Sequence, residues 1–583
     1  MEDILLTLDQ SIKEKVQKWL EGNYDDETKN EIKKLIKENN VEELTNSFYK
    51  DLEFGTGGLR GLMGVGTNKM NKYTVAAATQ GLANYLIKTF KDEKIKVAIA
   101  YDSRKNSNFF ASISADVFSA NGIEVYVFES LRPTPVLSYA IRYFKCHSGV
   151  VITASHNPKE YNGYKAYWSD GAQLVPPHDV NVIDEVKKIT KLEDIKLHAN
   201  KELIHNIGLE LDDSYIEKTV NLSLSRNEIL KHKDLKIVYT PLHGTGITIV
   251  PKMLKRFGFE NIHIVQEQAE PNGDFPTVKY PNPEEPEALN LALEKAKNID
   301  ADLILATDPD ADRVGVAVKN QNGSWKLLNG NQTGTLLFYY LLYNWDKQKK
   351  LKGNEYVVKT IVTTDIIDKI AKKFGVECYN TLTGFKYIAE IIRLNEGKKT
   401  YIVGGEESYG YLVGDFVRDK DAVGASAFIA EMTAWAKDQG MSLFELLINI
   451  YREFGFYKEH LISITKKGKS GTEEIKEMMK RFRQNPPEAL AGSKIVKMLD
   501  YENGIEKDFV ILKSSKLNYP HSDVLQFLTE DDTKVSVRPS GTEPKIKFYV
   551  SVNLPLKKKE DFEFVENQLQ EKINTVLKDL NLS

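Results

Sequence analysis

Three aspartates at alternate positions, Asp308-Pro309-Asp310-Ala311-Asp312, follow the apolar run Leu303-Ile304-Leu305-Ala306. Three hard oxygen donors suit Mg²⁺ or Ca²⁺. The calcium loop of an EF-hand is rejected, because the places that need Gly after the third acid and Glu at the loop's end hold Arg313 and Lys319. Mg²⁺ keeps coordination positions open for phosphate oxygens, and Arg313 stands beside the acids to hold the same phosphate. Repulsion among three close carboxylates calls for a cation; the alternative is a solvated acidic loop. A second cluster, Thr153-Ala154-Ser155-His156-Asn157-Pro158, leads to Asn162-Gly163-Tyr164-Lys165. Ser155 is a covalent nucleophile if one group holds its phosphate and another removes the acceptor's proton. The hexapeptide alone reads equally as an Asn-Pro turn with a capping serine. No Gly-x-Ser-x-Gly elbow surrounds Ser155, so hydrolase chemistry has no support.

Arg538-Pro539-Ser540-Gly541-Thr542-Glu543-Pro544-Lys545 combines a guanidinium, two hydroxyls and a glycine N–H, a cradle for phosphate, although an ordinary polar β-turn has the same composition. Gly404-Gly405-Glu406-Glu407-Ser408-Tyr409-Gly410 offers Glu406 and Ser408 to sugar hydroxyls; alone it reads more readily as a turn with exposed acids. In Phe54-Gly55-Thr56-Gly57-Gly58-Leu59-Arg60-Gly61 a flexible basic loop would bring Arg60 to a phosphate, and its glycine spacing is not that of a dinucleotide fold. Gly468-Lys469-Ser470 is not a nucleotide-phosphate loop, since Ser463 stands where its first glycine is required.

These clusters need strands and helices to carry them. Val97–Ala100, Val125–Phe128, Val150–Ile152, Ile237–Tyr239, Leu303–Ala306 and Tyr401–Val403 are short β-rich runs separated by helical stretches, which predicts parallel or mixed sheets with crossover helices, an α/β class. Chemistry-bearing clusters that follow such runs lie at the carboxyl ends of strands, where open α/β sheets bind ligands. Val16, Leu20, Ile32 and Leu35 at helical spacing predict an amphipathic N-terminal arm. The chain of 583 residues exceeds one hydrophobic core. Boundaries near 212, 325 and 448 give an arm at 1–45, then domains at 46–211, 212–325, 326–447 and 448–583, the last an α+β appendage around Val535–Val550. A net charge of −4 gives no global pull toward nucleic acid. Cys146 and Cys378 are too few for a disulfide framework, no signal-type start is present, and the longest apolar run, Leu336–Tyr343, is too short to cross a bilayer. The sequence therefore predicts a cytoplasmic protein that binds neither nucleic acid nor membrane; its oligomeric state is not written in any of these patterns.

Taken in order, the clusters resemble the α-D-phosphohexomutase superfamily from about Asp51 onward. Within it they are most similar to the phosphoglucomutase-2/phosphopentomutase branch, through Ser155–Asp179, Phe275–Glu285 and Thr383-Gly384-Phe385-Lys386. The resemblance implies four domains around a central cleft, three related α/β modules and a C-terminal α+β domain. It implies Ser155 as the phosphoserine and as a metal contact with Asp308, Asp310 and Asp312. Lys165 would be the general acid/base, with His156 and Arg60 beside them. Arg313, Thr383, Gly384, Lys386, Glu406, Ser408 and Lys420 would hold the sugar phosphate, with Arg538, Ser540, Gly541 and Thr542 on its distal phosphate. Gly57 stands where shorter bacterial members often have Asp or Ser, and Phe416 where many phosphoglucomutases have His.

The activity implied is the interconversion of glucose 1-phosphate and glucose 6-phosphate, with Mg²⁺ and a sugar bisphosphate such as glucose 1,6-bisphosphate as intermediate and activator. Pentose 1-phosphates are the alternative substrates. A non-catalytic sugar-phosphate sensor would be favoured by loss of the serine, lysine or aspartates, all of which are present.

Overall fold

The protein is seen in a computed structural model that describes residues 8–55, 57–466, 468–540 and 545–582. Its described residues form two compact units. The first gathers the chain through Ala317 with Ile392–Leu394 and Gly410–Ala434; the second holds Val318–Ile391, Asn395–Tyr409 and the chain from Trp435 onward.

The predicted amphipathic arm is three helices, Gln10–Glu21, Asp26–Lys37 and Val41–Phe48. The Asp25 carboxylate caps the second by accepting from the N–H of Thr28. Val16, Trp19, Ile32, Ile36, Leu44 and Phe48 close a small core, with Leu20 and Leu35 packed on its margin.

Strands β1 (Gly58–Leu62), β2 (Lys96–Tyr101), β3 (Glu124–Phe128), β4 (Ser148–Ile152), β5 (Tyr161–Trp168) and β6 (Ile204–Ile207) make one sheet in the order β1-β5-β4-β2-β3-β6. The pairs among β4, β2, β3 and β6 are parallel, while β5 runs antiparallel to both β4 and β1. Val97, Ile99, Val125, Val150 and Ile152 are buried between covering helices, as a parallel sheet requires. The stretch around Arg60 departs from the expected loop. It is an edge strand, with Arg60 opposite Gly163, because residues 58–62 find free ladder groups on β5. A second sheet begins with β7 (Ile237–Thr240), β8 (Ile262–Ile264) and β9 (Leu303–Thr307), all parallel, and β10 (Val314–Lys319) returns antiparallel along β9. The Asp308–Arg313 loop is thus the β9–β10 connection.

In the second unit, after β11 (Trp325–Leu328), β12 (Glu355–Thr360) pairs in parallel with β13 (Glu377–Thr381) and β14 (Thr400–Glu406). Leu336–Tyr343 lies within the long helix Gly330–Lys347. After β15 (Gly410–Val413), the C-terminal part is antiparallel: β16 (Phe456–Thr465), β17 (Ala489–Leu490), β18 (Ser493–Asp500), β19 (Ile505–Asp508), β20 (Lys513–Lys516), β21 (Leu525–Thr529), β22 (Lys534–Pro539) and β23 (Lys545–Leu554). Their order is β16-β23-β22-β21-β18-β19-β20, with β17 on β18. Helix Phe562–Asp579 buries Leu569, Ile573 and Val576.

Candidate active site

Ser155 lies in the loop just beyond β4, in a left-handed backbone conformation with φ of 52°. Its N–H donates to Thr153 Oγ1 at 2.8 Å, and Thr153 Oγ1 donates to Asp102 Oδ2 at 2.6 Å. Arg104 completes the brace. Its Nη2 donates to the carbonyl of Ser155 at 2.6 Å and to that of Asn157, and its Nη1 to those of Pro158 at 2.8 Å and Tyr161 at 3.1 Å. The guanidinium lies over the Phe275 ring, and Arg104 is 3% exposed. Burial draws its pKa below the usual range even with Asp102 alongside, yet it remains a cation at neutral pH. Asp102 and Arg104 were missed in the sequence. They sit just beyond β2, the same carboxyl-end position that picked out Ser155, but without a recognisable cluster.

Ser155 Oγ donates to Asp308 Oδ2 at 2.8 Å and lies 3.3 Å from His156 Nδ1. Burial, together with Arg313 and Arg60, holds the His156 pKa well below its ordinary value, so the ring is neutral. The nucleophile loop and the acidic loop therefore meet. Asp308 Oδ1 accepts from the N–H groups of Asp312 and Arg313, each at 3.1 Å. The acidic loop is supported from the turn after β7, where Thr245 donates through N–H and hydroxyl to the Pro309 carbonyl at 2.8 and 2.9 Å. Only glycine fits at 244, since a Cβ there would lie 2.4 Å from Pro309 Cα.

Lys165 on β5 places Nζ 2.7 Å from Asp310 Oδ2 and 3.3 Å from Asp312 Oδ2. Burial works against its charge, but Asp310 and Asp312 outweigh that and raise its pKa. Lys420 arrives at the same acids, 3.2 Å from Asp312 Oδ2 and 3.1 Å from Asp419 Oδ1. A Cβ at Gly410 would lie 2.2 Å from Lys420 Cδ, so that glycine makes room for the lysine. Asp419 in turn accepts from Tyr167 at 2.7 Å and Gln173 at 3.0 Å. Arg60 approaches Asn157 Oδ1 at 3.5 Å, and Arg313 pairs with Glu284 at 2.5 Å.

The three aspartates are wholly buried, with ligand oxygens within 4.8 Å of one another. Asp310 Oδ1 and Asp312 Oδ1 have no hydrogen-bond partner among the described residues. Burial and then the two neighbouring carboxylates push the Asp308 pKa well above its usual range. For Asp310 burial acts the same way, but Lys165 overcomes it and the pKa falls. Orphaned buried carboxylate oxygens converging on one point fit a metal ion, whose charge would relieve that repulsion.

In the second unit, Gly384 donates its N–H to Glu406 Oε1 at 2.9 Å, joining two of the expected sugar contacts. Thr383 Oγ1 is buried without a partner among the described residues. Lys386 lies in the first turn of helix Phe385–Asn395, and Ser408 is half-buried just beyond β14. Arg538 is the penultimate residue of β22, and the Ser540 N–H donates to the Lys545 carbonyl at 2.7 Å. Gly541 and Thr542 lie outside the described residues. Tyr549, which the sequence did not single out, feels both loops: burial, then the charges of Glu407 and Glu406, raise its pKa against Arg538.

Residues 51–193, 213–323 and 329–454 match the phosphoglucomutase/phosphomannomutase alpha/beta/alpha domains I, II and III. A phosphoglucomutase of Staphylococcus haemolyticus is 37% identical over 512 residues, 87% of this chain and 91% of its own length. One of Staphylococcus aureus is 36% identical over 531 residues, 90% of this chain and 94% of its own. Among solved structures, Paramecium parafusin, a phosphoglucomutase in an open form, aligns with a TM-score of 0.68 at 18% identity, covering 92% of this chain and 95% of its own. A phosphoglucomutase/phosphomannomutase family protein of Burkholderia thailandensis gives 0.64 at 17%, with 91% and 97% covered. Among the described residues no helix is long and apolar enough to cross a membrane. With three consecutive domains matched and relatives aligned along most of its length, this chain belongs to the phosphoglucomutase/phosphomannomutase family and is a phosphosugar mutase.

Proposed function

We propose that the chain interconverts glucose 1-phosphate and glucose 6-phosphate in the cytoplasm, through a phosphate carried on Ser155. The observation that carries this reading is the 2.8 Å contact of Ser155 Oγ with Asp308, beside two buried aspartate oxygens with no hydrogen-bond partner among the described residues. Asp308, Asp310 and Asp312, with an oxygen on Ser155, would hold Mg²⁺, which when bound neutralises charge on the phosphoryl oxygens. A substrate hydroxyl attacks phosphorus, the bond from phosphorus to Ser155 Oγ breaks with its electron pair left on Oγ, and Lys165, in the neutral form it would reach once a cation takes over the charge of Asp310 and Asp312, takes the hydroxyl proton. The sugar bisphosphate so formed turns around and returns its other phosphate to Ser155, while Lys165 gives the proton back. Arg60 and neutral His156 flank the nucleophile, and Lys420 balances the acids beside Lys165. Thr383, Gly384, Lys386, Glu406 and Ser408 orient the sugar. Arg313 holds a phosphate beside the acids, and Arg538, Ser540, Gly541 and Thr542 hold the distal one. These roles assign 46–211 to the phosphoserine, 212–325 to the metal, 326–447 to the sugar and 448–583 to the distal phosphate.

The test measures glucose 6-phosphate formed by the Mg²⁺-loaded enzyme from glucose 1-phosphate with glucose 1,6-bisphosphate, against mannose and ribose 1-phosphates. Glucose should give the highest kcat/KM, and intact-mass measurement should find one phosphate, lost in Ser155→Ala. A ribose preference would make the enzyme a phosphopentomutase with the same mechanism. Near-normal turnover by Ser155→Ala would overturn the reading.

A further inference from the structure

The hairpin of β19 and β20 ends in four consecutive exposed apolar residues, the last three of them largely uncovered by the described chain. Phe509 is 37% exposed, Val510 68%, Ile511 66% and Leu512 87%. Single exposed apolar residues are ordinary, but an unbroken run of four at a hairpin tip is not. The tip is also a built structure. Asp508 Oδ1 accepts from the N–H groups of Val510 and Ile511 at 3.0 and 3.1 Å, and the Phe509 N–H donates to the Val496 carbonyl at 2.8 Å. Leu512 adopts a φ of 51°, a conformation that turns normally give to Gly, Asn or Asp. A leucine held there in water serves neither the turn nor the core.

The charges around the tip indicate its partner. The ladder sets Ile505 opposite Lys516 and Lys507 opposite Ser514, so Ile505, Lys507 and Lys516 share one face. Glu506 and Asp508 point to the other face together with Lys513, which the ladder sets opposite Asp508, and Lys497 meets the two acids at 2.8 and 3.9 Å. Lys513 and Lys516 are exposed, and neither they nor Lys507 form an ion pair among the described residues. The apolar finger therefore carries lysines on both faces of its hairpin, Lys507 and Lys516 on one and Lys513 on the other, while Lys497 meets the hairpin's two acids.

We infer that this hairpin docks on an anionic phospholipid surface, with Phe509 to Leu512 entering the headgroup layer and Lys507, Lys513 and Lys516 meeting lipid phosphates. A second copy of the chain fits less well. Four side chains fall far short of the roughly 800 Å² per partner that a stable dimer buries. A two-fold contact would set the lysine collars against each other, and β20, the exposed edge of its sheet, is guarded by Lys513 and Lys516 against strand pairing. The inference does not depend on which sugar the enzyme prefers, and it revises the sequence-based expectation of no membrane partner.

The test is co-sedimentation of the full-length enzyme with vesicles of phosphatidylcholine containing about 30% phosphatidylserine, against phosphatidylcholine alone. Binding to the anionic vesicles should exceed binding to the neutral ones by roughly ten-fold, and fall in about 1 M salt. Val510→Ser/Ile511→Ser/Leu512→Ser should lower it to the neutral-vesicle level with mutase turnover unchanged. Should that variant misfold, Lys513→Glu/Lys516→Glu serves instead and should show the same loss. Equal binding to both vesicles, full binding by the folded variants, or a dimer in light scattering that either variant dissociates would each overturn the proposal.

Discussion

An arginine with no access to substrate governs the geometry of the nucleophile. Arg104 joins four carbonyls along residues 155–161 and so holds Ser155 in a conformation that a non-glycine residue adopts only under constraint. Arg104→Gln should lower kcat by about 100-fold, the order expected of a small misplacement of the reacting atom, and leave KM for the sugar phosphate within about two-fold. Arg104→Lys should recover only part of this, because an ammonium cannot fork to four acceptors. Steady-state kinetics of both variants decide it, and a KM rise matching the kcat loss would show that Arg104 reaches the substrate. For the metal, Asp310→Asn should weaken Mn²⁺ binding by at least about ten-fold, read by electron paramagnetic resonance without turnover. At this scale the sequence was informative where chemistry leaves an alternating pattern, as in Asp308, Asp310 and Asp312. It was silent on Arg104 and Asp102, whose work consists of bonds to residues about fifty positions away that no local spacing encodes. Lys420 was expected among the sugar contacts, and its position beside Asp312 depends on packing against Gly410.

The elements were legible where period and composition agree, as in β4, β9 and the helix Gly330–Lys347. β1 was not, because a glycine-rich run becomes a strand only when an edge such as β5 accepts it. A less visible element is the start of helix Ala422–Asp438, capped by Asp421, which accepts from the Gly424 N–H at 2.8 Å and the Tyr215 hydroxyl at 2.6 Å. Burial raises the Asp421 pKa from 3.8 to about 6 despite these donors. An acid whose pKa is raised by folding lends its stability below its unfolded pKa and loses it as pH rises through the folded value. Asp421→Asn keeps an accepting oxygen and loses the charge. Its advantage over the parent should therefore appear as pH climbs from about 4 to 6 and level off above, at no more than about 3 kcal/mol. Thermal unfolding of both proteins at pH 5 and pH 8 measures it, and an equal difference at the two pH values would refute the assignment.

For the molecule as a whole, the class and the repetition of α/β modules could be read from the sequence, but the path of the chain between its compact units could not. That path depends on contacts such as Tyr167 and Gln173 on Asp419 and Ser138 on the Arg418 N–H, which tie residues near 418 to the first sheet's surroundings. A chain ending at Ala317 lacks β15, Lys420 and the first part of helix Ala422–Asp438, all of which belong to the first unit. It should be digested by protease at least about ten-fold faster than the same residues in the full protein, and resistance equal to that of the full protein would disprove this. Because the third matched family domain lends residues 410–434 to a unit built mostly from the first two, gene shuffling cannot exchange it cleanly. A recombinant that borrowed that domain from a relative would import a foreign lysine to the acidic loop along with its sugar contacts. The heritable module is the set of three domains.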